Sequence, residues 1–164
     1  MVFTQEQIEA FSGQGFEVTA DGVFVKYRGQ EAHVDIPAGV TKIGEEAFRG
    51  CSSLGSVVIP DSVTVLGWRA FFGCSSLASV LIPEGVTKIC AHAFWRCRSL
   101  SVVVIPKGVT EIELCAFSGC SSLESVVIPE GVTRICTSLF RDCSSLESVV
   151  IPKGVTEITG AFSG

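Results

Sequence analysis

The residues of this chain that could support chemistry lie near one histidine. His92 follows Cys90 by two positions, so a thiol–imidazole pair for nucleophilic catalysis is one hypothesis. A zinc site is another, with ligands from Cys90, His92, Cys97 and Cys115. Neither set has the spacing of a familiar zinc or protease motif, and the only other histidine is His33. We therefore predict a protein that is not an enzyme and that holds no metal or cofactor.

The elements that would position these residues repeat along the chain with a period of 23 residues. The Ile-Pro pair keeps this step throughout, at Ile36, Ile59, Ile82, Ile105, Ile128 and Ile151. A cysteine column keeps it at Cys51, Cys74, Cys97, Cys120 and Cys143, and a phenylalanine column at Phe48, Phe71, Phe94, Phe117 and Phe140. A fixed period of this length predicts stacked coils in which identical letters become neighbours. We therefore expect the Phe71 and Phe94 rings to be in contact.

Each repeat contains one clear strand signal. In the stretch that leads into the second copy, Leu54, Val57 and Ile59 alternate with variable residues, which predicts a half-buried strand. The following proline ends it, because proline lacks the amide hydrogen that a ladder needs. The first copy continues with a second short strand at residues 40–43 and a helical turn at residues 45–48. One coil cannot bury its apolar side alone, so the stacked copies are expected to share one core.

Residues 1–35 do not follow the period, and we predict that they form an N-terminal cap. Thr4 and Gln7 fit a capping box, which predicts a helix from about Gln5 to Phe11. The next segment is predicted to be a hairpin that turns at Asp21-Gly22. A cap of this kind would cover the open end of the stack.

The repeats occupy residues 36–164, as five full copies and a truncated sixth. In the last copy Ala161-Phe162 comes one residue early, and no polar capping unit follows. One interpretation is a fragment of a longer array. The other is a structural or self-associating module that forms a homo-oligomer through its uncapped end at Phe162–Gly164.

Composition excludes several classes of function. The formal net charge is −5, with a pI near 5.0, so the phosphate attraction that drives nucleic-acid binding is missing. No apolar run is long enough for a membrane span, and the first residues do not resemble a signal peptide. The cysteine column suggests reduced, buried thiols spaced about 4.8 Å apart. The three cysteines outside the column are Cys90, Cys115 and Cys136.

The repeat letters resemble a known family. Leu-x-x-Val-x-Ile-Pro-x-x-Val-Thr-x-Ile-Gly-x-x-Ala-Phe-x-Gly-Cys-Ser-Ser is similar to the BspA-like (Treponema-type) leucine-rich repeat, over about residues 36–163. The resemblance implies an α/β repeat solenoid: a right-handed superhelix with a parallel concave sheet and short convex strands or helical turns. It also implies a secreted or cell-surface adhesion module that binds a protein, such as a host or extracellular-matrix protein, without catalytic residues.

The first candidate binding surface is a column on the concave face. If Leu54, Val57 and Ile59 point inward, the outward column is apolar in every full strand: Val58, Leu81, Val104, Val127 and Val150, widened by Val102. Contiguous apolar surface commonly marks a binding site, although β-branched residues also simply suit strands. Glu124 and Glu147 make the neighbouring column acidic, which would favour a basic partner.

The second candidate surface is on the flank of copies two and three. Its residues are Trp68, Arg69, Phe72, His92, Trp95, Arg96 and Arg98. Phe72 and Trp95 share a column and are expected to stack. Exposed Trp and Arg dominate interface energetics, but aromatic residues that cover the flank beside solvated arginines are an equal alternative.

Two further columns have a structural interpretation. The charges of Lys88, Glu111, Arg134 and Glu157 alternate, as do those of Glu84, Lys107, Glu130 and Lys153 with the signs reversed. Opposite charges on neighbouring coils would oppose slips of register. One threonine per coil, from Thr41 to Thr156, is expected to form side-chain hydrogen bonds along the stack.

Overall fold

The computed structural model describes residues 2–162, and the chain enters the repeats through one helix and one hairpin. The first elements are α1 (Gln5–Gly13), β1 (Phe16–Val18) and β2 (Val23–Tyr27). Thr4 and Gln7 form the reciprocal capping box of α1, and β1 pairs antiparallel with β2. The predicted helix and hairpin are confirmed, whereas the division of the chain at residue 36 stays a prediction.

Each coil contributes a front strand of three residues, followed by the Ile-Pro pair, and a back strand of two residues. The front strands are β3 (His33–Asp35), β5 (Ser56–Val58), β7 (Ser79–Leu81), β9 (Val102–Val104), β11 (Ser125–Val127) and β13 (Ser148–Val150). The back strands are β4 (Lys42–Ile43), β6 (Val65–Leu66), β8 (Lys88–Ile89), β10 (Glu111–Ile112), β12 (Arg134–Ile135) and β14 (Glu157–Ile158).

The strands pair in parallel with an offset of one repeat. Ser79 lies opposite Val102, and Lys88 lies opposite Glu111. The front strands form the sheets β3–β5 and β7–β9–β11–β13, and the back strands extend the hairpin as β1–β2–β4–β6–β8–β10, with β12–β14 separate. The predicted solenoid of stacked 23-residue coils is therefore confirmed.

The core is organised around a ladder of stacked phenylalanine rings. The Phe71 and Phe94 ring centroids are 5.2 Å apart with parallel planes, as the period predicts. Phe48, Phe71, Phe94 and Phe117 are all fully buried. The ladder also takes in Phe24 from strand β2, whose ring stacks on Phe48 at 4.9 Å and which the 23-residue period does not assign.

The cysteine column adds hydrogen bonds between coils. The Cys97 thiol donates to the carbonyl oxygen of Phe71 in the preceding coil at 3.1 Å, and Cys120 repeats this contact with Phe94 at 3.3 Å. Burial raises the pKa of both thiols, which are therefore protonated donors at neutral pH. All eight cysteines of the chain are free thiols in the structure.

The helical turn expected at residues 45–48 is instead a run of turns. Glu46 has a φ of 53°, in the left-handed region, and the equivalent residues Arg69, His92, Cys115 and Ser138 share this conformation. A left-handed residue cannot continue a right-handed helix. The amides pair with the next coil instead, as where Phe48 N donates to Ala70 O at 2.7 Å.

The back strands separate between β10 and β12, which are not paired in the part of the chain that the structure describes. One coil earlier, strands β8 and β10 are paired, and next to them Thr110 N donates to Thr87 O at 3.0 Å. The Phe117 and Phe140 centroids, 6.1 Å apart, also form the widest step of the described ladder. A cleft of about 320 Å³ opens between these two strands.

Two minor predictions about the surface are met in part. Lys88 binds Glu111 at 3.1 Å and Arg134 binds Glu157 at 2.9 Å, as the alternating column predicts. Ion pairs among residues 2–162 include none from the other column, so its predicted pairing is wrong. Threonine hydroxyls donate along the stack as expected, for example from Thr64 to the Thr41 carbonyl at 3.3 Å.

Candidate protein-binding surfaces

The front strands place an apolar stripe in solvent. Within each strand the central residue is turned towards the core while the residues on either side face outward, because side chains alternate along a strand. The outward residues after the centre form the apolar stripe: Val58, Leu81, Val104, Val127 and Val150, exposed by 51% to 69%. Val102, on the other outward position of β9, is 54% exposed and widens the stripe in the middle.

Polar groups border the stripe. Glu124 and Glu147 are exposed one residue before strands β11 and β13, so the acidic column lies beside the stripe in its last two coils. At the opposite end, Asp35 occupies the position in β3 that the apolar residues hold in later coils. The stripe therefore begins and ends beside carboxylates.

Sequence reasoning missed a polar network at this first end. His33 Nδ1 lies 2.7 Å from Ser56 Oγ, and His33 Nε2 lies 3.0 Å from Asp35 Oδ1. These are the residue types of a hydrolytic triad, but His33 and Asp35 are 56% and 73% exposed at the side chain. The Ser56 amide already donates to Ala32 O at 3.0 Å, so it does not offer an oxyanion donor. The signal was available, since His33 precedes Ser56 by one period.

The proposed zinc ligands are not brought together. Among residues 2–162, no three His, Cys, Asp or Glu side chains are arranged to hold a metal ion. Cys97 is fully buried in the cysteine column, while Cys90 and His92 are half-buried. Burial raises the pKa of the Cys90 thiol and lowers that of His92, so both are uncharged at neutral pH. This geometry does not favour a thiolate–imidazolium pair.

The flank cluster, formed by Trp68, Arg69, Phe72, His92, Trp95 and Arg96, packs tightly against itself. The Phe72 and Trp95 rings are in contact at 5.2 Å, as expected from their shared column, but edge-on rather than stacked. The His92 ring lies 4.7 Å from Trp95. The aromatic side chains of coils two and three thus form one continuous surface.

Arginines cover the rings of the flank cluster. The Arg69 guanidinium carbon lies 4.2 Å from the Trp68 ring centre and 5.6 Å from that of Trp95. Its guanidinium also approaches the Glu46 carboxylate to 3.7 Å. The Arg96 guanidinium lies 5.4 Å from the ring of Trp95, the residue that precedes it in the same coil. These are cation–π contacts, in which the ring face attracts the charge.

Arg96 also has an unusual backbone. Its φ is 62°, and the equivalent residues Gly50, Gly73 and Gly119 have φ between 71° and 73°. Glycine adopts this left-handed region at little cost, whereas a residue with a Cβ does not. Arg98, two residues later, is exposed, and its side chain has no hydrogen-bond or ion-pair partner among the described residues.

Comparison with known families explains the repeat. The BspA type leucine rich repeat region matches in six copies, over residues 22–113 and 41–164. The chain belongs to this family. The predicted resemblance and fold class are therefore confirmed, and the BspA-type repeat is generally a fold of protein interaction. No curated protein matches the sequence.

Solved structures of bacterial relatives share the fold. A T. pallidum leucine-rich repeat protein is 34% identical, with a TM-score of 0.79, over 88% of this chain and 78% of that one. A leucine-rich cell surface protein from Faecalibacterium prausnitzii is 39% identical, with a TM-score of 0.78, over 87% of this chain and 42% of that one. A Bacteroides ovatus leucine-rich repeat protein is 28% identical, with a TM-score of 0.60, and this chain spans 46% of its length.

No helix among residues 2–162 is long and apolar enough to cross a membrane. The C-terminal segment predicted to self-associate, Phe162–Gly164, lies partly outside the described residues, which exclude Ser163 and Gly164.

Proposed function

We propose that this BspA-type module binds a protein partner through the apolar stripe, as an adhesion module of the cell surface. The observation that supports the proposal is the exposure of one apolar side chain in each of five successive coils. Strand propensity accounts for the valines of the stripe but not for Leu81. Leu81 is its most exposed member at 69%, and leucine is not among the β-branched and aromatic residues that strands favour.

The dimensions of the stripe suit a protein ligand. Neighbouring strands lie about 4.8 Å apart, so five coils give a stripe about 19 Å long. An extended segment of about six residues has this length. Glu124 and Glu147 lie beside one end, so a partner with basic residues next to an apolar run would be complementary.

The surface setting rests on the relatives. The Faecalibacterium prausnitzii protein is described as a cell surface protein, and the chain is 39% identical to it. We extend this setting to the present chain, with a host or extracellular-matrix protein as the partner. The chain spans 42% of that relative, so the adhesion role is proposed for the repeat module alone.

The test is a triple variant, Leu81→Thr, Val104→Thr and Val127→Thr, which keeps strand propensity and removes the apolar surface. Binding is measured by interferometry against immobilised collagen and laminin. We expect the parent protein to bind at least one of them, and the variant to bind about tenfold more weakly or worse. Circular dichroism checks that the variant remains folded.

The matched control changes three exposed apolar residues outside the stripe, Val25, Leu114 and Ile158, to threonine. This control should bind like the parent protein. Equal affinity of the stripe variant and the parent would remove the stripe as the site, and a parent that binds neither protein would contradict the matrix partner. Light scattering on the full chain tests the alternative of self-association, which predicts oligomers at high concentration.

A further inference from the structure

The flank cluster lies at positions where the coils differ from one another. The chain supplies its own comparison, because each position occurs once per coil. Arg96 stands where three other copies have glycine, and its left-handed φ of 62° is unfavourable for arginine. Trp68 and Trp95 are the only tryptophans of the chain, and both belong to this cluster. A residue that occupies an unfavourable backbone conformation, as Arg96 does, is a candidate for a role in recognition.

Two polar atoms of the cluster lack a hydrogen-bond partner. They are Arg69 Nε and His92 Nδ1, and they are the only buried side-chain nitrogen or oxygen atoms without a partner in the described residues. A buried donor that is left unpaired is destabilising, so native structures rarely leave one without a reason. A ligand that brings an acceptor oxygen would satisfy such a donor.

A cleft of about 350 Å³ lies beside His92, and its charge is positive. It is lined by His92, Trp95, Arg96, Arg141 and Asp142 among others. Asp142 is its one carboxylate and lies 3.6 Å from Arg141. The Arg96 side chain has no carboxylate partner in the described residues, and its guanidinium lies 5.4 Å from the Trp95 ring centre. The cleft is thus a local positive site on a protein whose net charge is −5.

The positions of the arginines over the tryptophan rings favour an anionic ligand over a sugar. Sugars bind tryptophan by stacking on the ring, but Arg69 covers Trp68 at 4.2 Å, and both Arg69 and Arg96 approach Trp95 within 5.6 Å. A guanidinium that lies over a ring keeps its N–H groups free in its own plane. That edge matches the two oxygens of a carboxylate.

We propose that this cleft binds the carboxylate side chains of an acidic peptide segment, with Arg96 and Arg141 as the donors. The site is separate from the apolar stripe and does not depend on the function proposed for it. A sulfated polysaccharide is less suitable, because such ligands bind runs of about five or more basic residues, whereas two arginines and the carboxylate of Asp142 line this cleft.

The probe is a hexaglutamate peptide, with hexaglutamine as its uncharged counterpart. Because both tryptophans lie in the cluster, intrinsic tryptophan fluorescence reports on this site directly. We expect a saturable change of emission with hexaglutamate that weakens as salt is added, and none with hexaglutamine. An equal response to both peptides would overturn the proposal, as would a response to heparin without one to hexaglutamate.

The test variant is Arg96→Gly with Arg141→Ser, which installs the residues that the fourth coil has at these positions, Gly119 and Ser118. It should fold like the parent and bind hexaglutamate about tenfold more weakly or worse, since two charge-assisted contacts are lost. The control, Lys107→Ser with Lys153→Ser, removes two exposed lysines elsewhere and should keep the affinity. Unchanged binding by the test variant, or an equal loss in the control, would contradict the site.

Discussion

The apolar stripe and the flank cluster are built in opposite ways on the same coils. The stripe repeats one kind of side chain in five successive coils, and each of these side chains is more than half exposed. The flank cluster is made of residues that occur in one or two coils, and its side chains pack on one another within 5.6 Å. The repeat thus supplies a long uniform surface, while departures from it supply local chemistry.

The two surfaces share one support, which is the interior of the stack. The phenylalanine ladder and the cysteine hydrogen bonds run beneath both of them. Changes in the interior should therefore affect both surfaces together, whereas changes on either surface should remain local.

The largest effect is expected for Phe94→Ala, which removes a fully buried ring from the middle of the ladder. The loss of packing should reduce the free energy of unfolding by about 3–5 kcal/mol. Urea unfolding followed by circular dichroism measures this value. Phe162→Ala is the control, because that ring is 51% exposed at the end of the described ladder and should cost less than about 2 kcal/mol. Equal losses would mean that the ladder is not the common support.

A comparison of the two surfaces themselves uses Trp95→Ala and Val104→Thr. Trp95 contacts Phe72 and His92, so its removal should cost about 2 kcal/mol, roughly half the value for a fully buried aromatic residue. Val104 is 53% exposed, and threonine suits a strand, so that change should cost about 0.5 kcal/mol or less. Thermal and urea unfolding of the two variants check the difference. Similar losses of stability in the two variants would contradict the view that the side chains of the flank cluster are packed while those of the apolar stripe are not.

The cysteine column predicts a loss of stability in alkali. Burial raises the pKa of Cys97 and Cys120, and it raises that of Cys143 to about 11. Thiols of the unfolded chain ionise near pH ~8.5, so the unfolded state loses its protons first. The contribution of the protonated thiols to the free energy of unfolding is therefore fully present below that pH, and it declines as the pH rises towards the pKa of the folded state. Each such thiol should subtract about 1.4 kcal/mol one pH unit above the unfolded pKa.

Unfolding free energies at neutral pH and at about pH 9.5 measure this decline. The double variant Cys97→Ala, Cys120→Ala should be less stable at neutral pH but should show a shallower dependence on pH. If the free energy of unfolding of that variant fell with pH as steeply as that of the parent, the buried thiols would be excluded as the cause of the decline.

The smallest expected effect is for Arg96→Gly. Glycine relieves a left-handed conformation that costs about 1 kcal/mol or more, while the lost contact with Trp95 costs about 0.5 kcal/mol. A net gain of about 0.5 kcal/mol is expected. Gly73→Arg makes the reverse change, at a φ of 71°, and should lower the stability. Thermal unfolding of the two variants measures the gain and the loss. Destabilisation by Arg96→Gly would mean that Arg96 supports the fold rather than recognition.

Much of the fold could be predicted from the sequence, because identical letters at a fixed spacing can become neighbours only by stacking. The period predicted the contact of Phe71 with Phe94 and the exposure of Val58 and Leu81 in the apolar stripe. The helical conformation predicted for residues 45–48 was wrong, because the letters of this segment do not reveal the left-handed φ of Glu46. The contact of His33 with Ser56 was also missed, although the two residues are one period apart, because residues 1–35 were assigned to a cap outside the period.

The sequence by itself determined the period, the buried columns and the family, because each depends on letters that recur and whose burial is favourable in every coil alike. Only the tertiary structure decided where the back strands separate between β10 and β12, and which rings Arg69 covers. Those outcomes depend on contacts between residues that differ from coil to coil. They are settled by packing in three dimensions, which a periodic pattern does not encode.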